Sequence, residues 1–405
     1  MGALDVALAL ANQRDNKTVV LVHVVDPEAG GSPAEREESI DQARSELDAI
    51  SAKHPNVRTE MIAGPPDEIL CGLAETEAAE LIIIAARSTG GSLLRLGSTA
   101  EKTVQRTTVP VIAVRDPAPW LAFTRGERPL RVLLGVDESA VCDLGIQWVH
   151  ALRRRGPVDV VLGAIYYPDD AAQYYGLPPH ALVDRDPEIE QLMSRDLLRR
   201  FGSDDGAGTI TARARRGLGR IGDHVLELAR EEHVDAIVVG TSQKTGLGRL
   251  GSVSSVIVHD APESVVCVPP NASVAQSSVP LLHRALVATD LSQFANRAVP
   301  YAFAMATGEV HLVHVLKDDD EADPAELTRQ LYALTPKSAK QAVTAHVVRG
   351  DDAAVALAQT AARLGVDVVC IASHGRSGIT RALVGSVADR LLRATHIPVL
   401  VLRPT

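Results

Sequence analysis

Val366–Ser386 reads VDVVCIASHGRSGITRALVGS, and the order of residue types in it decides the fold. An acidic residue leads into the apolar run VVCIA, the pattern of a strand buried on both faces; a half-exposed strand would alternate apolar with polar. A loop of small and polar residues follows, then Gly385-Ser386 with the amphipathic stretch SVADRLLRA, then a second apolar run, IPVLVLR. Ahead of the strand lies another amphipathic stretch, GDDAAVALAQTAARL from Gly350. Continuous apolar strands alternating with helices make a parallel sheet covered on both faces, an α/β doubly wound fold. Ligands of such sheets bind beyond the carboxyl ends of the strands, where this loop falls. Its small residues let main-chain N–H groups approach an anion, and a helix starting at Ser386 aims its positive end at the same point.

The same register occurs twice more. Gly64–Ala86 reads GPPDEILCGLAETEAAELIIIAA and Gly217–Thr241 reads GLGRIGDHVLELAREEHVDAIVVGT, each a glycine, an amphipathic helix, an acidic residue and a β-branched run. Each runs on to a Gly-Ser pair, Gly97-Ser98 or Gly251-Ser252, and then to a closing apolar strand, VPVIAVR or ESVVCVP. Successive Gly-Ser pairs stand 154 and 134 residues apart, the spacing of whole domains. Reading back, LRVLLGVDES (130–139) and HRALVATDLS (283–292) are opening strands that end in Asp-x-Ser, at Asp137 and Asp290. The first copy is expected to lack that strand, because Met1 falls in its first helix and the next strand is KTVVLVHVVD.

Three tandem domains are therefore expected, at 1–116, 128–270 and 281–405. RDPAPWLAFTRGERP (115–129) and PPNASVAQSSVP (269–280) read as linkers from their Pro and polar content. The second copy carries an insertion, YYPDDAAQYYGLPPHALVDRDPEIE, expected as a loop leading into a helix. Its tyrosines Tyr166, Tyr167, Tyr174 and Tyr175 fit ordinary packing better than a ligand site.

Composition narrows the function classes. Hydrophobic residues at 46% with 23% charged describe a folded soluble protein, and 3% aromatic content makes its cores aliphatic. A net charge of −10 argues against nucleic-acid partners, which are held by clustered Lys and Arg. Cys71, Cys142, Cys267 and Cys370 stand singly without metal spacing and read as small core residues in a reducing compartment, the cytoplasm. No run approaches the ~20 apolar residues of a membrane span, so no membrane partner is expected.

The loop of the third copy resembles the nucleotide loop of the universal stress protein family, written Gly, two residues, Gly, nine residues, Gly and Ser or Thr. Gly375, nine residues, Gly385 and Ser386 match it without a gap, and Ala372 stands at the first glycine. The resemblance covers almost the whole chain as three units and implies an adenine nucleotide alpha hydrolase-like fold that binds nucleotide, often as a dimer, in stress survival. From the ATP-binding branch it implies that Ala288, Thr289, Asp290 and Val315 hold the adenosine. It likewise places Ala372, Gly375, Arg376, Gly385, Ser386 and Val387 at the phosphates of ATP, with or without Mg. The first copy has Ser88 at the second glycine and one residue fewer before Gly97; the second has Gln243 there and is two residues short. Neither is expected to hold nucleotide well.

Plainer readings stand beside these. A Ser opening a helix is a good N-cap, Ser98-Thr-Ala-Glu101 is a capping box, and Asp290 is placed to cap the helix starting near Ser292. His374 has no Ser or Cys nucleophile spaced to pair with it, so no catalytic residue is assigned and any hydrolysis is expected to be slow. An interaction module built from the same domains is the alternative function. Each copy closes on an apolar strand that is a candidate sheet edge, so copies one and two are expected to pair within the chain. Copy three is then left to pair with a second chain near Val399–Leu402, giving a homodimer.

Overall fold

The structure, a computed structural model, describes residues 2–13, 17–25, 33–86, 98–178, 185–204, 206–241, 253–270, 272, 282–372 and 386–402. The chain divides into two compact units, residues 1–165 with 197–277, and residues 166–196 with 278–405.

In the first copy the elements are α1 (Gly2–Asn12), β1 (Val19–Val25), α2 (Pro33–Lys53), β2 (Val57–Ala63), α3 (Pro66–Thr76), β3 (Ile82–Ala85), α4 (Ser98–Arg106) and β4 (Val111–Val114). The second copy begins with α5 (Ala118–Thr124), β5 (Leu130–Gly135), α6 (Ala140–Arg153) and β6 (Val158–Tyr166). Its insertion supplies α7 (Pro168–Tyr175) and α8 (Pro187–Phe201). It closes with β7 (Ile210–Arg216), α9 (Ile221–Glu231), β8 (Ala236–Gly240), α10 (Val253–Asp260) and β9 (Ser264–Val268).

Seven strands of the first unit form one sheet in the order β3-β4-β9-β8-β5-β6-β7. The closing strands of the two copies meet in it, as the edge argument expects. β4 runs antiparallel to β9, with Val111 opposite Cys267, Ile112 opposite Val266 and Ala113 opposite Val265. All six side chains are fully buried, so this seam continues the core of both copies rather than capping it. β1 and β2 stand apart as a parallel pair, because no described strand lies between β1 and β3.

The stretch read as a linker at 115–129 is a helix in the core. Asp116 Oδ1 accepts from Ala118 N at 2.9 Å, Pro119 falls in the first turn, and Gly126 follows the end of α5 with φ +70°. These residues punctuate a short helix, so the Pro and polar content that suggests a linker here belongs to the two ends of α5. Trp120 and Phe123, three residues apart and so on one face of α5, are fully buried.

The third copy contains β10 (Arg284–Ala288), a 3-10 turn (Ala295–Ala298), α11 (Val299–Met305), β11 (Glu309–Leu316), α12 (Pro324–Ala333) and β12 (Ala342–Arg349). α13 (Ala353–Leu364), β13 (Val368–Ala372), α14 (Ser386–Ala394) and β14 (Val399–Leu402) complete it. Its sheet is entirely parallel, in the order β12-β11-β10-β13-β14. One face packs on α11 and α12 through Val299, Ala302, Phe303 and Leu331, the other on α13 and α14 through Leu357, Ala361, Ala388 and Leu391.

The insertion of the second copy packs with the third. Gln359 Nε2 on α13 donates to Gln173 O at 3.1 Å, where Gly176 (φ +66°) ends α7 so close that a Cβ would lie 3.0 Å from Gln359 Cβ. Arg195 of α8 donates to Ala362 O at 2.6 Å and Arg363 O at 2.5 Å, placing a cation on the carbonyl end of α13. Tyr166 and Tyr175 are packing residues, bonded through their hydroxyls to Glu190 (3.3 Å) and Asp196 (2.9 Å).

The cysteines are free, and Cys142, Cys267 and Cys370 are buried. Burial pushes the Cys142 thiol up to about 11 and the other two to about 12, which leaves them protonated and inert at neutral pH. Among the described residues no helix is long and apolar enough to cross a membrane.

Candidate functional site

In the third copy the strand order reverses at β10, whose neighbours are β11 on one side and β13 on the other. The two chain connections leave the sheet in opposite directions there, opening a crevice above the carboxyl ends of β10 and β13. Ala288, buried, is the last residue of β10 and lies opposite both Val313 and Ile371.

The turn that follows is pinned residue by residue. Thr289 N donates to Val313 O at 3.0 Å, and Thr289 O accepts from His314 Nδ1 at 2.9 Å. The Thr289 hydroxyl donates to Asn296 Oδ1 (2.7 Å) and accepts from Leu291 N (2.9 Å). Leu291 has φ +64°, a left-handed conformation that costs a side chain with a Cβ about 1–2 kcal/mol and persists because its neighbours hold it. This turn sets Asp290 at the crevice with an exposed side chain.

Asp290 Oδ1 accepts from Ser292 N at 2.9 Å, and Ser292 Oγ in turn accepts from Ala295 N at 3.1 Å. The capping reading of this segment therefore falls to Ser292, while Asp290 closes the turn. Partial burial pushes the Asp290 carboxyl up, but the hydroxyl and N–H of Ser292, its own N–H and nearby His314 outweigh it and hold it below the usual value. An ionised carboxylate accepts hydrogen bonds and donates none, so Asp290 suits a ligand that presents hydroxyl donors.

Val315 contributes main chain. Alternate residues of β11 bond to β10, as the Glu309 N to His283 O (2.9 Å) and Thr289 N to Val313 O (3.0 Å) bonds show. Val315 is next in that series and lies past the last paired residue of β10, so its N–H and C=O face the crevice. A donor and an acceptor side by side fit the edge of a heterocyclic base.

Across the crevice, Ala372 ends β13 opposite Leu402, half-buried. Ser386 and Val387 open α14 with exposed side chains. That helix is fixed by Leu391 and Ala388 in the core and by an ion pair from Arg390 to Asp352, which caps α13 through Ala354 N at 3.0 Å. Gly375, Arg376 and Gly385, and with them His374, lie outside the described residues. The structure thus brings Ala288, Thr289, Asp290 and Val315 to one crevice. It adds His314, which the sequence reading passed over although it neighbours Val315 in the quoted strand.

The second copy has an Asp-x-Ser turn at the same place, but without a positive-φ residue, and it is closed differently. Asp137 Oδ1 accepts from both Ser139 N (2.9 Å) and Ser139 Oγ (2.5 Å). Arg200 of α8 donates to Asp137 O, to Ser139 O at 3.0 Å and to Asp143 Oδ1 at 2.9 Å. At the end of β8, a Cβ on Gly240 would stand 2.6 Å from Val141 of α6, so protein fills the space beside the strand. Among the described residues the first copy shows no counterpart of β5 or β10 and its following aspartate.

Known proteins share the domain pattern. The model described as the universal stress protein family matches residues 1–115, 130–269 and 282–403. A universal stress protein of Mycolicibacterium smegmatis is 25% identical over 296 residues, 67% of this chain and 97% of that protein. Universal stress protein Rv2005c of Mycobacterium tuberculosis is 29% identical over 199 residues, 44% of this chain and 64% of that protein. Among solved structures, a universal stress protein from Archaeoglobus fulgidus aligns with a TM-score of 0.47 at 15% identity, covering 66% of this chain and 93% of its own. Another, titled as a universal stress protein in complex with cAMP, aligns with a TM-score of 0.28 at 21% identity over 31% of this chain and 100% of its own. With the family pattern matched over three segments that take in nearly all of its length, this chain belongs to the universal stress protein family, as a tandem member.

Proposed function

We propose that the third copy binds ATP or a related adenine nucleotide, and that the chain acts in stress response or signalling through that site. The observation that carries this reading is the pairing of an ionised Asp290 with the open main chain of Val315 at the strand-order switch. Asp290 would accept from ribose hydroxyls, Val315 would meet the base edge, and Gly375, Arg376, Gly385, Ser386 and Val387 would hold the phosphates, with Mg where the metal accompanies ATP. The chain's own residues orient and hold; none described is placed to activate a water, so turnover is expected to be slow.

Titration calorimetry of the full chain with ATP tests this. Asp290→Ala is expected to weaken binding by about 10–100-fold, the loss of one or two hydrogen bonds to a charged acceptor. Gly375→Val is expected to abolish binding by keeping the main chain away from phosphate. Unchanged affinity in both variants would sink the assignment, and competition by ADP, AMP and cAMP would rank the nucleotides.

Assembly follows from the closing strand. β14 is the counterpart of β4 and β9, which pair antiparallel within the first unit, and its Val399, Leu400, Val401 and Leu402 are each half-buried. Pairing of β14 with its mate in a second chain would cover that edge and give a homodimer. Light scattering is expected to give twice the chain mass for the wild type and a single chain mass for Leu400→Lys. A wild-type monomer at micromolar concentration would refute the pairing.

A further inference from the structure

β12 ends the sheet of the third copy and pairs, among the described residues, with β11 alone. Its Val343, Ala345 and Val347 pack with the residues of α11 and α12, so alternation turns His346 to the other face, the one covered by α13. The register sets His346 beside Val313, and His311, two residues back on β11, lies diagonal to it on that face. The two rings close the diagonal. His311 Nδ1 is 3.2 Å from His346 Nε2, with ring centroids 5.3 Å apart. His311 is 7% exposed and His346 is half-buried.

A hydrogen bond between two ring nitrogens holds a single proton. Were it on His311, the bare Nε2 of that ring would face the Glu309 carboxylate at 3.5 Å, acceptor against acceptor. With the proton on His346 Nε2, His311 turns its Nε2–H toward Glu309 and both contacts attract. The neutral pair is thus a chain from His346 through His311 to Glu309, flanked by Arg284 of β10 at 3.3 Å from the same carboxylate. Arg363 of α13 acts on His346, and Arg195 of α8 stands on the Arg363 carbonyl. Asp367, ahead of β13, accepts from the main-chain N–H groups of His283 and Arg284 at 2.8 and 2.7 Å. A first added proton can enter at His346 Nδ1, which the chain leaves bare. A second must go to His311 Nδ1, where two N–H groups would meet head-on. Burial, then the neighbouring ring and Arg284, hold His311 below the usual histidine value against the pull of Glu309; burial and Arg363 do the same for His346. A β12 lifted off the sheet binds these protons more readily. Its attachment is therefore at full strength above the ordinary histidine value of about 6.5 and is lost as pH falls from there through the lower folded values.

We propose that the His311–His346 pair is an acid-sensitive latch, which holds the β12 edge on β11 at neutral pH and lets it loosen as the pair takes up protons. Loosening uncovers Val343, Ala345 and Val347 and frees the main-chain groups of β11 that β12 occupies. No bound nucleotide is needed for it.

The test is amide hydrogen exchange of the full chain, corrected for the intrinsic pH dependence of exchange. Protection at residues 342–349 is expected to fall by about 10-fold from about pH 7.5 to about pH 5, and by less at residues 368–372 of β13. In the double variant His311→Gln with His346→Gln, which keeps polar side chains that cannot be charged, the acid-dependent fall is expected to shrink to less than about 3-fold, whatever the protection at neutral pH. Ring resonances of the wild type, assigned by their loss in the single variants, are expected to titrate below the ordinary histidine value. Constant wild-type protection, the same acid-dependent fall in the double variant, an equal fall in β13, or both rings titrating at or above the ordinary value would each overturn the latch.

Discussion

Replacing Trp120 by alanine is expected to lower the stability of the first unit by about 3–5 kcal/mol, as removal of a large buried aromatic side chain does. Trp120 is fully buried on α5, with Phe123 beside it. Around them, α5 packs on α1 and on β5, and Phe123 Cε2 comes so near the main chain that a Cβ on Gly156 would lie 2.9 Å away. Interiors this close-packed do not collapse around a hole of indole size. Trp120→Phe separates packing from polarity. The Nε1–H of Trp120 has no hydrogen-bond partner among the described residues, so phenylalanine removes a buried orphan donor while keeping most of the packed surface. That variant is expected to lose less than about half of what alanine loses. Urea unfolding followed by circular dichroism gives both values from the shift in the transition of the first unit. An alanine variant with wild-type midpoint would return residues 115–129 to the status of a linker.

Arg153→Ala is expected to cost a comparable amount, about 3–5 kcal/mol, for an electrostatic reason. The guanidinium is buried and every nitrogen is used. Nε meets Asp204 at 2.7 and 3.0 Å, one terminal nitrogen donates to Val158 O at 2.6 Å, and the other to Gly206 O at 2.7 Å. These bonds tie α6 and the start of β6 to the segment that leads into β7. Gly208 is fixed there at φ +102°, where a Cβ would lie 2.3 Å from Val158 O. Alanine leaves the Asp204 carboxylate, with a side chain 5% exposed, without its main counter-charge. Arg153→Lys keeps the charge but not the fork, and is expected to fall between wild type and alanine. The double variant Arg153→Met with Asp204→Leu is expected to recover part of the loss by removing both charges. Hydrogen exchange in β6 and β7 is the local readout. A loss below about 1 kcal/mol in Arg153→Ala, the size of a surface ion pair, would show that the network does not hold this edge of the sheet.

The candidate site divides by the kind of information each residue needs. Asp290 was visible because the same residue type recurs at Asp137 in a shared frame, and Val315 because the family pattern points to the strand that contains it. Why Val315 serves was not visible, since it depends on β11 outrunning β10 and on which of its main-chain groups fall on that side. Leu291 at positive φ was hidden as well, because a leucine gives no sign of a conformation that its neighbours impose. Arg200 was hidden too. It closes the turn of the second copy from a helix 63 residues further along the chain, and no local pattern links the two.

By itself the sequence determined the alternation of apolar strands and amphipathic helices, the parallel sheet and the threefold repetition of one domain pattern. Those features are written in short-range periodicity and in its recurrence, and each copy confirms the reading of the others. Tertiary structure alone decided that residues 118–124 are a core helix, that residues 166–196 pack with the third copy, and that β1 and β2 stand as a pair outside the seven-stranded sheet. The physical reason is common to all three. Whether a polar-looking segment is buried, which copy an insertion packs on and which strands share a sheet depend on surfaces brought together from distant parts of the chain, and local periodicity carries no record of them.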